Sequence, residues 1–189
     1  TATAYACAAL TTDVGLIGDD GSPVTGDAPD GFVRFDSAPS CPGTGNGWLV
    51  GDTVGYLAGA QPVGYSFVRW DGDVSGTEQE GSIVLDGSRP STVLKPVYQV
   101  QCYTLTVTPE ANTVRGDDPN CPGADPSRNR YVGGSVVALH AFDGGEVWVG
   151  WEGDVDRAQD PTWVYVDQDV TAHAKWRDKT TNEDIKDFF

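Results

Sequence analysis

The stretch "SFVRWDGDVSG" at residues 66–76 returns as "VWVGWEGDVDR" at residues 147–157. A chain that repeats such a signature either uses one piece of chemistry twice or folds into two like units that need the same corner. The flanks favour two units. In the first half, "LVGDTVGYLAGA" (49–60) precedes the signature, and "SIVLDG" (82–87) and "STVLKPVYQ" (91–99) follow it. In the second half "YVGGSVVALHA" (131–141), "TWVYVDQ" (162–168) and "VTAHAKWRD" (170–178) stand in the same order. The openings match as well: "YACAALT" and "QCYTLTV" each set a Cys at the entry of a first strand.

The periodicity within these segments is two residues. Tyr103, Leu105 and Val107 alternate with Cys102, Thr104 and Thr106, and Val170, Ala172, Ala174 and Trp176 alternate with Thr171, His173 and Lys175. No segment holds a helical stripe of useful length, and 24 Gly and 12 Pro punctuate the chain. The expected fold class is mainly β: two tandem small antiparallel β modules, each with one disulfide. The first module spans residues 1–99 with a Gly/Asp-rich insert at 13–37, and the second spans 100–177. Residues 178–189 form a C-terminal tail, read as a short helix capped by Thr181 or Asn182 or as a linker. The join at Val100 and Gln101 has no flexible spacer, which predicts a semi-rigid pair.

The cysteines support the duplication. Cys41 and Cys121 each open a "CPG" triplet, so of the three connectivities that four Cys allow, Cys7–Cys41 and Cys102–Cys121 give each half one bridge. Zinc is the competing reading, but there is no CxxC and neither His is near a Cys. Disulfides imply an oxidising compartment. The chain has no Met, even at position 1, and so reads as a processed product or a piece of something longer.

The pattern of a Val-rich strand, "GYSFVRWDGDVSG", an apolar strand ending in Asp, and "TVLKPVY" or "VTAHAKW" resembles the divergent form of the internalin-B-type B-repeat of bacterial surface proteins. Gly64, Tyr65, Phe67, Trp70, Gly72, Asp73 and Tyr98 carry the likeness in the first copy. Val147, Trp148, Trp151, Gly153, Asp154 and Trp176 carry it in the second, which lacks the Gly-Tyr-x-Phe element. The resemblance covers about residues 45–99 and 100–177. It implies β-grasp-like modules outside the cell that serve as stalks, spacers or adhesive elements, and it brings no catalytic residues.

Composition narrows the partners. A formal charge of -16, spread along the chain, repels phosphate, so neither nucleic acid nor an anionic membrane surface is expected as a partner. No run of about 18 apolar residues is present to insert into a bilayer. The remaining partners are other domains or subunits of a surface assembly, or a surface glycan.

Within the signature, Trp70 and Trp151 end an apolar strand, Gly72 and Gly153 can take positive φ, and Asp73 and Asp154 can accept from backbone N–H groups of the turn. That is a structural corner. Calcium is the sharper alternative, because Asp71-x-Asp73-x-Ser75-Gly76 imitates half of an EF-hand loop, but Ser82 stands where the bidentate Glu belongs. Glu152, Asp154 and Asp156 imitate it less well, with Arg157 in place of Gly. A separate calcium candidate is Asp19, Asp20, Asp27 and Asp30 of the insert, whose plainer reading is a hydrophilic hairpin; no other cofactor is expected. His140 and His173 sit at alternating strand positions without a nucleophile elbow. An isopeptide bond needs a buried Lys; only Lys95 and Lys175 lie in strands, and by alternation Lys175 faces away from Ala174 and Trp176. The sequence therefore predicts a non-catalytic, extracellular structural or adhesive module. The alternative is a carbohydrate-binding module that stacks sugars on Trp48, Trp148 and Trp163, the aromatics without an evident core duty.

Overall fold

The computed structural model describes residues 6–26, 32–43, 46–59, 61–110, 113–142 and 145–179. Alternation produces strands throughout: in Val170–Arg177, for example, Val170, Ala172 and Ala174 are buried while Thr171, His173 and Lys175 are exposed. Among the described residues there is no α-helix; a 3-10 turn at Pro126–Arg128 has as its cap Asp125, which accepts from Ser127 N at 2.9 Å. The chain divides into two units, Thr1–Gln101 and Cys102–Phe189. Because the last strand of the first unit continues to Val100, the boundary falls two residues beyond the one expected at 99.

The second unit is the simpler. Its strands are β10 (Cys102–Thr108), β11 (Thr113–Arg115), β12 (Arg130–Val132), β13 (Ser135–Ala141), β14 (Val147–Gly153), β15 (Thr162–Val166) and β16 (Val170–Arg177). A four-stranded sheet has the order β12-β10-β16-β14, and a three-stranded antiparallel sheet has the order β11-β13-β15. First and last strands lie side by side and parallel, with Leu105 opposite Val170, and the flanking pairs are antiparallel. This parallel centre is the β-grasp arrangement, and the three-stranded sheet supplies the second layer. Leu105, Val107 and Ala172 from one sheet pack with Val137, Leu139, Val164 and Val166 from the other in one core.

The first unit repeats the plan. Its strands are β1 (Cys7–Thr12), β2 (Gly15–Ile17), β3 (Pro23–Val24), β4 (Val33–Phe35), β5 (Gly47–Leu49), β6 (Thr53–Ala58), β7 (Tyr65–Gly72), β8 (Glu80–Val84) and β9 (Ser91–Val100). The run β5-β1-β9-β7 and the sheet β4-β6-β8 match the two sheets of the second unit strand for strand. Even the irregularities agree, since the register slips between Phe67 and Arg69 in one unit and between Trp148 and Gly150 in the other.

The insert is shorter than expected. The second unit runs directly from β10 to β11, so β4, the counterpart of β11, belongs to the shared scaffold and the extra material ends before it. Within that material β2 pairs with the second half of β9 in parallel, and β3 pairs with β2. Its return is anchored at Phe32, whose ring lies 4.1 Å from that of Tyr98 and whose carbonyl accepts from the Tyr98 hydroxyl at 3.1 Å.

Both disulfides form as expected: Cys7–Cys41 and Cys102–Cys121, with Cα atoms 6.0 and 5.9 Å apart. They place the chain in an oxidising compartment. No helix of the described residues is long and apolar enough to cross a membrane.

Candidate functional site

The repeated signature resolves into a repeated staple. In the first unit Asp73 N donates to Val93 O at 2.9 Å, and Val93 N donates back to the Asp73 carboxylate at 2.8 Å. In the second, Asp154 N donates to Thr171 O at 2.9 Å and Thr171 N to the Asp154 carboxylate at 2.8 Å. The Asp thus satisfies the closing strand rather than its own turn. Each glycine permits the approach: φ is 95° at Gly72 and 99° at Gly153, and a Cβ there would stand 2.7 Å from Val93 O or 2.6 Å from Thr171 O. The same backbone bond closes each loop, from Trp70 N to Gly76 O and from Trp151 N to Arg157 O, both at 2.7 Å, and in the second unit Arg157 N also donates back to Trp151 O at 3.4 Å.

The tryptophans of the corner are core residues. Trp70 is packed against Tyr56 and Phe67, and its indole N–H donates to Glu78 O at 2.9 Å. Trp151 is packed against Trp148, and its indole N–H is buried without a partner among the described residues. Two of the three aromatics expected to be free are not. Trp48 is only 4% exposed and packs with Ala8, Val54 and Leu85. Trp148 lies half-buried between Trp151 and Trp176, with its indole N–H on Ala158 O at 3.3 Å. Core duty accounts for both.

The acidic candidates are largely engaged with the fold. Asp71 pairs with Arg69 at 3.0 Å, Asp73 also pairs with Arg89, and Glu152 pairs with Lys175. Asp20 accepts from Ser22 N at 2.9 Å, and this hydrogen bond holds its carboxyl below the usual range. Asp19 lies in the adjoining turn, and Asp27 and Asp30 lie outside the described residues. Lys95 ends on Asp13 at 2.8 Å, and His173 Nδ1 shares a 2.9 Å hydrogen bond with Thr108 Oγ1 on the exposed side of β16.

What remains is the outer face of β11-β13-β15. Along β15, Thr162, Val164 and Val166 point into the core, so Trp163 and Tyr165 point out, 55% and 50% exposed. Across the strand pair they face Ala138 and Val136, and Val114 stands opposite His140 one strand further. Val136 and Val114 are exposed too. The result is an apolar, aromatic sheet surface. Its rim is acidic: Asp117 accepts from Ala138 N at 3.3 Å, and Asp160 accepts from Ala141 N at 2.9 Å. Sequence reading nominated Trp163 but not Tyr165, Val136 or Val114, although "TWVYV" alternates and so places two rings about 7 Å apart on one side.

The same face in the first unit is different. There Arg34, Leu57, Gly55, Glu80 and Ser82 border an open cleft of about 730 Å³, with Ser82 at the position of Trp163 and Val84 at that of Tyr165. Comparison with known protein families, curated proteins and solved structures returns no match to this chain.

Proposed function

We propose that the chain is a non-catalytic structural or adhesive module of a bacterial surface assembly, acting outside the cell as a stalk, spacer or subunit contact. The observation that carries this reading is the duplicated staple. In both units the Trp, Gly and Asp of the signature serve the same backbone closure, which supports a structural use of the repeated corner. The oxidising compartment marked by two disulfides agrees with export. The resemblance of the two copies to B-repeats supports the surface setting.

A second reading, a carbohydrate-binding module, is favoured by one observation: the paired exposure of Trp163 and Tyr165. A glycan array and a protein-interaction screen on the same purified chain separate the two. The structural reading expects polypeptide binding and no glycan retention. Glycan binding that disappears in Trp163→Ala would replace it with the second reading, and turnover of any offered substrate would remove both.

A further inference from the structure

We infer that the open edge of β15 receives an extended segment of another polypeptide, one with an apolar β-branched centre and basic residues at its ends. This rests on the subunit-contact reading and names its surface.

The edge is identified by the ladder. Gly134 N donates to Val166 O at 2.8 Å, so the Val166 carbonyl faces β13. Backbone groups of an antiparallel strand alternate in direction, which turns those of Val164 and Thr162 the same way and those of Trp163 and Tyr165 toward the free side. Among the described strands β15 pairs with β13 alone. The two residues that present rings to solvent thus also present unpaired donors and acceptors.

The first unit shows how this fold protects the same edge. Its counterpart β8 reads Glu-Gly-Ser-Ile-Val, and Ala58 N donates to Gln79 O at 2.7 Å, so alternation sends Glu80, Ser82 and Val84 to the free side. A charge and a small polar residue guard the first two of those positions, as is usual for exposed strands, and only Val84 is left apolar. β15 reads Thr-Trp-Val-Tyr-Val, with no charge and every residue a strong strand former. Only Pro161, which lacks an N–H, bounds it on one side. Two units of one design differ at this position in the direction that invites pairing.

Charge selects the occupant. Asp160 precedes β15 and Asp167 and Asp169 follow it. Each unit carries a formal -8, from four basic against twelve acidic residues in the first and eight against sixteen in the second. A second copy pairing antiparallel through β15 would set Asp160 against its partner's carboxylates at both ends, and would bring like charge as a whole. A strand with Lys or Arg at its ends meets opposite charge at both. Strand addition then draws affinity from main-chain hydrogen bonds and specificity from alternate side chains, which lie over Trp163 and Tyr165.

The test uses the purified chain and two synthetic peptides of common centre, KKVTVTVKK and EEVTVTVEE. The basic peptide is expected to bind at least about tenfold more tightly, to weaken with added salt, and to slow amide exchange at Trp163 and Tyr165. Trp163→Pro removes an outward N–H without touching the β13 ladder and should abolish that binding. Should this variant misfold, Trp163→Lys introduces a guarding charge and should weaken the basic peptide by about the same factor. Equal affinity for the two peptides, binding of neither, or binding that leaves the β15 amides unprotected overturns the inference. Retention of a glycan at Trp163 without peptide binding overturns it as well and transfers the face to the carbohydrate reading, whereas detection of turnover strikes the non-catalytic reading itself.

Discussion

The two units share a scaffold down to a register slip, yet they spend their aromatic residues in opposite places. The first unit turns its rings inward: Tyr65, Phe32, Tyr98, Phe67, Trp70 and Tyr56 form a continuous chain of ring contacts between 4.1 and 5.8 Å. Its outer sheet face carries no ring, only Arg34, Glu80, Gly55 and Ser82 with the aliphatic Leu57 and Val84 around a cleft. The second unit fills its core mostly with Val, Leu and Ala, has inner rings in Trp151, Tyr131 and the half-buried Trp148 and Trp176, and places Trp163 and Tyr165 outside. Equivalent architecture therefore does not mean equivalent surface. The duplicated corner is the part both copies must keep, and the outer face is the part free to diverge.

The largest expected effect tests whether the corners are equivalent. Trp70→Ala and Trp151→Ala should each destabilise their own unit by about 3–5 kcal/mol, the scale for deleting a buried large aromatic, and leave the other unit's transition in place. Replacement by Phe sharpens the comparison. Trp70→Phe loses the hydrogen bond to Glu78 O, a further cost of about 1 kcal/mol, whereas Trp151→Phe removes a buried donor that has no partner among the described residues. Calorimetry of the four variants checks this. Equal cost for the two Phe substitutions would mean that the indole N–H of Trp70 contributes nothing.

Next in size are the disulfides. Their sequence separations of 34 and 19 residues correspond to about 3–4 kcal/mol each in the chain-entropy account. Replacing Cys7 and Cys41 together by Ser should cost the first unit about 0.5 kcal/mol more than the matching pair costs the second. Denaturant unfolding of the two double variants measures the difference. A larger loss from the shorter loop would show that native packing around Cys121, rather than loop closure, dominates.

Much of this architecture was legible before any coordinates. The alternation of "CYTLTV" and "VTAHAKW" specified strands, and the doubled "CPG" specified the disulfides, because both signals are local. The parallel pairing of first and last strands was not legible, since no local signal names a strand's distant neighbour. β4 was hidden in a Gly/Asp-rich stretch because three residues cannot establish a period. Trp48 looked spare because its partners Ala8, Val54 and Leu85 come from three separate segments. The outer face escaped for a different reason. In "TWVYV" both sets of alternate residues can bury themselves, and only the position of the second sheet decides that Val164 and Val166 go in and Trp163 and Tyr165 stay out.

The smallest effect separates the units by pH. Burial raises the hydroxyls of Tyr56, Tyr65 and Tyr98 in the first unit above the ordinary value of 10, with Tyr98 pushed up to about 12. In the second unit burial raises Tyr131, whose hydroxyl donates to Asp117 O at 2.8 Å. A phenol that keeps its proton in the fold but loses it in the unfolded chain contributes its full stability below pH 10, and that contribution disappears as pH climbs through the folded value. With three such groups against one, the first unit should lose stability sooner and more steeply between pH 10 and about 12. Tyrosinate absorbance followed together with circular dichroism should show it unfolding first. Tyr98→Phe removes the most displaced of these groups and should flatten that loss; an unchanged alkaline slope in this variant would assign the difference between the units to something other than their inward rings.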